Sequence, residues 1–173
     1  MLVSMTDEDV AEGNALDADD RALAIHEAGH AVVAHALGAD VVSVEIDVDT
    51  GNGNTETRDE IADKIENLGV CVAGFKAELA FTAKELRLSK KLAAHTVRST
   101  RDYQQIQKLL LRLPEVERLG ALVEGFRLAD VTLKANADVV HRIADMLFAR
   151  RFSGNARIER DELSGLFAGD GRS

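Results

Sequence analysis

This 173-residue chain has one cysteine, one proline, no tryptophan and one tyrosine, and aromatic residues make up 4% of it. A lone Cys71 excludes an intrachain disulfide and a cysteine zinc cluster, and it fits a reducing, cytoplasmic setting. One proline and few strand-like runs point to a mainly helical protein. No apolar run approaches the roughly 20 residues that a membrane helix needs; Leu68 to Phe75 is among the longest. The first residues, Met-Leu-Val-Ser-Met followed by acids, lack the pattern of a signal peptide. Positive charge is in deficit: 21 Lys and Arg against 30 Asp and Glu give a net charge of −9, which argues against nucleic acid or an anionic membrane as the main partner.

What is present is a core large enough for one domain, with 46% hydrophobic residues. Within it lies His26-Glu27-Ala28-Gly29-His30. Residues four apart share a helix face, so His26 and His30 can aim two imidazole nitrogens at one metal ion. Glu27 then sits beside the metal rather than on it, placed to take a proton from water. This is the HExxH arrangement of zinc peptidases, whose ion needs a third protein ligand and an open position. The surrounding residues, Ala22 to Leu37, are apolar almost all round, the signature of a buried helix, and Gly38 supplies a stop. Buried histidines need partners, and a metal is one way to provide them.

The pattern predicts a polar, acidic, mobile arm over residues 1–18, a domain over 19–168 and a tail over 169–173. The zinc helix should run from about Asp19 to Leu37. Val42, Val44, Ile46 and Val48 alternate with polar residues, as in a half-buried strand, and Gly51 to Asn54 signals the turn of a small β-hairpin. The exposed edge near Val41 to Asp47 is where a peptide would add as a strand. Thr57 to Glu60 reads as a capping box for a second helix ending near Lys84, striped by Ile61, Ile65, Leu68, Val72, Phe75 and Leu79. Gly69 and Gly74 would let that helix pack closely on the zinc helix. Residues 85–98 are basic and irregular, and a helix should start near Ser99 to Asp102. Pro114 opens a helical pattern to about Phe152, with a bend near Gly120 or Gly125. A short last helix covers Arg160 to Phe167. His35 reads as a core residue, His95 as exposed, His141 as structural, and Tyr103 as a packing residue.

An HExxHxxGxxH continuation fails, because Val33 and Ala36 stand where Gly and His would be. Two carboxylates remain for the third ligand, Glu78 and Asp102, and chemistry alone allows either.

His26-Glu-Ala-Gly-His-Ala31 resembles the zinc peptidase domain of the FtsH family, the M41 metallopeptidases. The likeness extends to Val41–Ile46, to Gly53-Asn-Thr-Glu56, to Val72-Ala-Gly-Phe-Lys-Ala-Glu78, to Leu133–Leu147 and to Arg157–Leu163. It implies a mainly helical, zincin-like fold and a metalloendopeptidase that cleaves unfolded or short peptides, with Zn2+ on His26, His30 and Asp102 and with Glu27 as general base. The family's third ligand is an aspartate at a helix start, which selects Asp102 by position and leaves Glu78 a supporting role. The family's ATPase loop, Gly-x-x-x-x-Gly-Lys-Ser/Thr, is absent from this sequence, so the domain is not ATP-dependent by itself and a separate ATPase partner is allowed, as is an oligomer. The second class of function is a non-proteolytic zinc-binding regulator or assembly partner on the same scaffold.

Overall fold

The computed structural model describes residues 7–82, 92–153 and 156–169. Six helices and a three-stranded antiparallel sheet make it mainly helical: α1 (Asp7–Ala36), β1 (Val41–Asp47), β2 (Asn52–Thr57), α2 (Lys64–Phe81), α3 (Leu92–Leu111), α4 (Glu115–Ala135), α5 (Ala137–Arg150), β3 (Arg157–Glu159) and α6 (Arg160–Ala168). None of the described helices is long and apolar enough to cross a membrane.

The second half of α1 is the centre of the molecule. Ala22 to Ala34 is buried throughout, and Leu23, Ile25, Val32 and Val33 face neighbours on every side. It is enclosed by α2, α4 and α5 and by β1 and β2. Leu133, Val140, Ile143 and Leu147 from α4 and α5, Ile158 from β3 and Leu163 from α6 complete the core. Each fully buried aliphatic side chain of this kind contributes on the order of 1.5–3 kcal/mol.

Of the expected arm over residues 1–18, residues 7–18 are helical and belong to α1. No proline interrupts the stretch, and ion pairs hold the chain from Asp17 onward. Arg151, at the end of α5, reaches Asp17 at 2.8 Å and Asp20 at 3.3 Å, while Arg21 pairs with Asp145 at 2.6 Å. The guanidinium of Arg151 also lies over the Phe148 ring at 3.7 Å, so its flat face is packed as its edge is paired. Residues 1–6 of that stretch, and 170–173 of the expected tail, lie outside the described residues.

The hairpin is present, with Val44 opposite Thr55 and Ile46 opposite Gly53. Gly51, at φ +67°, takes the left-handed conformation that the turn requires. A third strand joins it. β3 pairs antiparallel with the other side of β1, placing Ile158 opposite Val44, so the order is β2-β1-β3. β1 is therefore the central strand and not an open edge. The outer strand on the side of the zinc helix is β2.

Three helix boundaries also differ from expectation. Thr57 does not cap α2; it ends β2 opposite Val41, and Asp63 is the cap, accepting from the backbone of Ile65 at 2.8 Å and Glu66 at 3.0 Å. α3 begins at Leu92 rather than near Asp102, so part of the basic, irregular-looking segment is helical. The remainder of that segment, 85–91, is outside the described residues, as is the side chain of His95. The long pattern after Pro114 breaks at Asn136, with no bend needed at either glycine. The Asn136 side-chain amide donates to the Thr132 carbonyl at 2.8 Å, a local bond that competes with helix continuation.

Close helix contacts explain the glycines. A Cβ on Gly29 would lie 2.6 Å from the Ala77 Cβ and 2.9 Å from the Ala73 carbonyl oxygen, so α1 and α2 touch almost backbone to backbone. Gly69 meets α4 instead, near Leu128 and Gly125. By contrast, nothing stands near a Cβ on Gly120. Gly29→Ala is expected to destabilise the fold by ~1–3 kcal/mol through overpacking. Gly120→Ala, relieved of the backbone entropy cost without a clash, is expected to stabilise it by ~0.5–1 kcal/mol. Urea melts of the two variants check this; equal effects would contradict the packing.

Candidate metal centre

Three elements bring the site together. α1 supplies His26, Glu27 and His30 on consecutive turns, α2 crosses it at Gly29 and Gly74, and α3 lays Asp102 across the top. His26 is 3% exposed, Glu27 6% and His30 8%.

The imidazoles are oriented from behind. His30 Nδ1 lies 2.7 Å from the Val70 carbonyl oxygen of α2. A carbonyl only accepts, so Nδ1 carries the proton and, in the neutral ring, Nε2 presents its lone pair. His26 Nδ1 lies 2.6 Å from Oε1 of Glu78, itself 1% exposed, which fixes the second ring the same way. Both Nε2 atoms then face one another at 3.1 Å, and both face Asp102 Oδ2, at 3.0 Å from His26 and 3.2 Å from His30.

Three acceptor atoms thus converge on one point. Unless a proton or a metal ion lies among them, they repel. Ligands about 2.0–2.1 Å from a tetrahedral zinc ion stand about 3.3 Å apart, close to the triangle found here. Space for an ion is kept by Gly74: a Cβ there would sit 2.5 Å from Nε2 of both histidines. His26, His30 and Asp102 therefore fit as the ligands of one metal ion. Glu78 stands behind His26 and, through Oε1, orients it.

The electrostatics carry the same demand for positive charge. Burial disfavours charge on His26, but the carboxylates of Asp102 and Glu78 outweigh it and push its pKa up to about 10. Burial likewise raises the Asp102 carboxyl, but hydrogen bonding to His26 and His30 prevails and holds it well below the usual carboxylate range. Asp102 lies ten residues into α3, too far from the helix start for the dipole to keep it ionised. The imidazoles and not the helix dipole do that work. Cys71 is nearby, but burial and the Asp102 charge push its thiol up to about 12, which keeps it protonated.

Glu27 points into the same cleft without joining the triangle. Its Oε2 accepts a hydrogen bond from the Thr55 hydroxyl at 3.0 Å, and the same hydroxyl lies 3.0 Å from the Glu27 carbonyl oxygen. Gly53 lies against the Glu27 side chain, and any side chain on β2 at that position would collide with it. The strand therefore holds the carboxylate in place. The cleft, of about 430 Å³, is floored by His26, Glu27 and His30 and walled by β2 and α3.

The other candidates lie elsewhere. His35 is exposed and stacks on Phe167 at 3.8 Å, which corrects its reading as a core residue. His141 packs edge-on to Phe81. Tyr103 is 59% exposed and borders a second, apolar pocket with Phe75, Ile106 and Phe126, which Cys71 and Asp102 share with the cleft. The roles of Thr55 and Gly53 in holding Glu27, and of the Val70 carbonyl in orienting His30, have no periodic signal in the sequence. No protein-family model matches this chain, and no curated protein matches it.

Gly74→Ala is expected to abolish zinc binding in a chain that still folds, because the added methyl lies where the three ligands converge. Chelator competition, with circular dichroism to verify the fold, measures this; wild-type zinc affinity in the folded variant would contradict it.

Proposed function

We propose that this chain is a zinc metallopeptidase domain of the M41 type, with a zincin-like fold, that hydrolyses peptide bonds in unfolded or short substrates. The observation that carries the reading is the convergence of two imidazole Nε2 atoms and one carboxylate oxygen at 3.0–3.2 Å, with a buried glutamate one residue after the first histidine in the same cleft. Three protein ligands with an accessible fourth side is the pattern of a catalytic rather than a structural zinc site.

His26, His30 and Asp102 would hold the ion. Bound there, zinc supplies Lewis acidity, polarising a carbonyl and acidifying water. Glu27, fixed by Thr55, accepts the proton of the attacking water and passes it to the leaving amine, so one carboxylate serves both half-steps. Glu78 keeps the His26 ring turned toward the ion. The substrate backbone pairs with the outer edge of β2, the wall of the cleft closest to Glu27; main-chain pairing suits a peptidase with broad sequence tolerance. Its substrates are chains that are already unfolded or are delivered by an ATPase.

Glu27→Gln tests the reading. The amide keeps the size and the Thr55 contact but cannot take a proton. Cleavage of casein or of a fluorogenic peptide by the zinc-loaded chain is expected to fall by at least ~100-fold, with zinc content and melting temperature unchanged. Chelation should abolish wild-type cleavage and zinc restore it. A fully active, zinc-replete Glu27→Gln chain would defeat the mechanism, and a zinc-loaded wild type inert on all peptides would favour the non-proteolytic alternative.

A further inference from the structure

The wall of the cleft formed by α3 carries Arg101, Gln105 and Lys108, and Arg112 follows in the turn just past its end; the four are spaced four, three and four residues apart, and all line the cavity. That spacing puts the first three on one helix face, and Arg112 extends the row. Three of the four are cations in a chain of net charge −9. Most other described cations are ion-paired, Arg21, Arg58, Arg150, Arg151 and Arg157 among them. Arg101, Lys108 and Arg112 have no carboxylate partner among the described residues; Arg101 contacts only the neutral Asn54 side chain of β2, at 3.3 Å. Beyond the far end, Lys64 reaches the Arg112 carbonyl oxygen at 3.4 Å. Across the cleft the lining acid away from the metal centre is Glu60.

We propose that this row is the specificity wall of the cleft and selects peptides with acidic side chains near the scissile bond. The proposal rests on the peptidase reading. From Arg101 to its end at Leu111 the helix rises about 15 Å, the span of four to five residues of extended peptide. A substrate paired to β2 would run between that strand and α3, with alternate side chains toward the cations. Arg101, adjacent to Asp102, governs the position closest to the chemistry; Lys108 and Arg112 govern positions farther out. The pairs are solvent-exposed, so each adds little, but together they give about tenfold discrimination, screened by salt.

The test uses three fluorogenic peptides with one cleavable centre and flanks of Asp/Glu, Ser/Gly or Lys. In the zinc-loaded full chain, kcat/KM for the acidic peptide should exceed that for the neutral one by about tenfold at low ionic strength, and the gap should close near ~0.5 M salt. Lys108→Glu/Arg112→Glu should reverse the order in favour of the lysine peptide. Lys108→Gln/Arg112→Gln, a milder change at exposed positions, should erase the preference and guards against misfolding of the reversal variant. Binding of the same peptides to Glu27→Gln, read by fluorescence anisotropy, separates the two ideas. Charge-selective binding that the reversal inverts, with no cleavage by the wild type, would uphold the wall and defeat the peptidase reading. Cleavage without charge preference, or a preference that neither variant moves, would overturn the wall alone. A single-stranded oligonucleotide of equal charge binding as tightly through the same residues would also overturn it, in favour of a general polyanion surface.

Discussion

Two imidazole nitrogens and a carboxylate oxygen, each offering a lone pair, lie within 3.2 Å of one another in a site closed to bulk water on most sides. Such an arrangement costs free energy unless positive charge lies among the three atoms. Much of the chain is arranged to impose it. The Val70 carbonyl and the Glu78 carboxylate turn the rings, and the Gly29 and Gly74 contacts bring α2 close enough for both to act on α1. A metal bound there joins segments 72 residues apart in sequence, from His30 to Asp102, so its binding energy contributes directly to holding α3 on α1.

The sheet contributes in a different way. Its apolar face covers α1 through Val44 and Ile46, while β2 directs Thr55 and Gly53 at Glu27. β3 occupies the far side of β1, so the outer edge toward the cleft belongs to β2. One strand thus both holds Glu27 and has a free edge that, under the proposed function, would pair with a peptide. Opposite it, α3 carries Asp102 with Arg101 and Lys108 on adjoining turns, so under the proposed function one element would serve both the metal and the substrate.

How much of this was legible in the sequence follows from how local each signal is. The HExxH spacing, the apolar surroundings of α1 and the alternation in β1 are short-range patterns, and the helix and hairpin they predicted are present. β3 is three residues long and exists only because β1 pairs with it from more than a hundred residues away, so no local pattern marks it. The helical start of α1 went unread because acidic residues suggest a solvated arm, whereas the one at its inner end, Asp17, is paired with Arg151 from α5's far end. Asp102 stood out by resemblance to a family pattern at a helix start, but the structure brings it to the histidines from the middle of α3. Thr55 and Val70 act through a hydroxyl and a backbone carbonyl, groups whose roles depend wholly on what lies across from them.

The most direct measurement is the metal content of the purified chain and of four variants, read by elemental analysis after equilibration with zinc. The account predicts one zinc ion per wild-type chain, none in His26→Ala, His30→Ala or Asp102→Ala, and zinc held more weakly, by ~10–100-fold, in Glu78→Ala. A wild-type chain that takes up no zinc, or an Asp102→Ala chain that keeps it while Glu78→Ala loses it, would contradict the account.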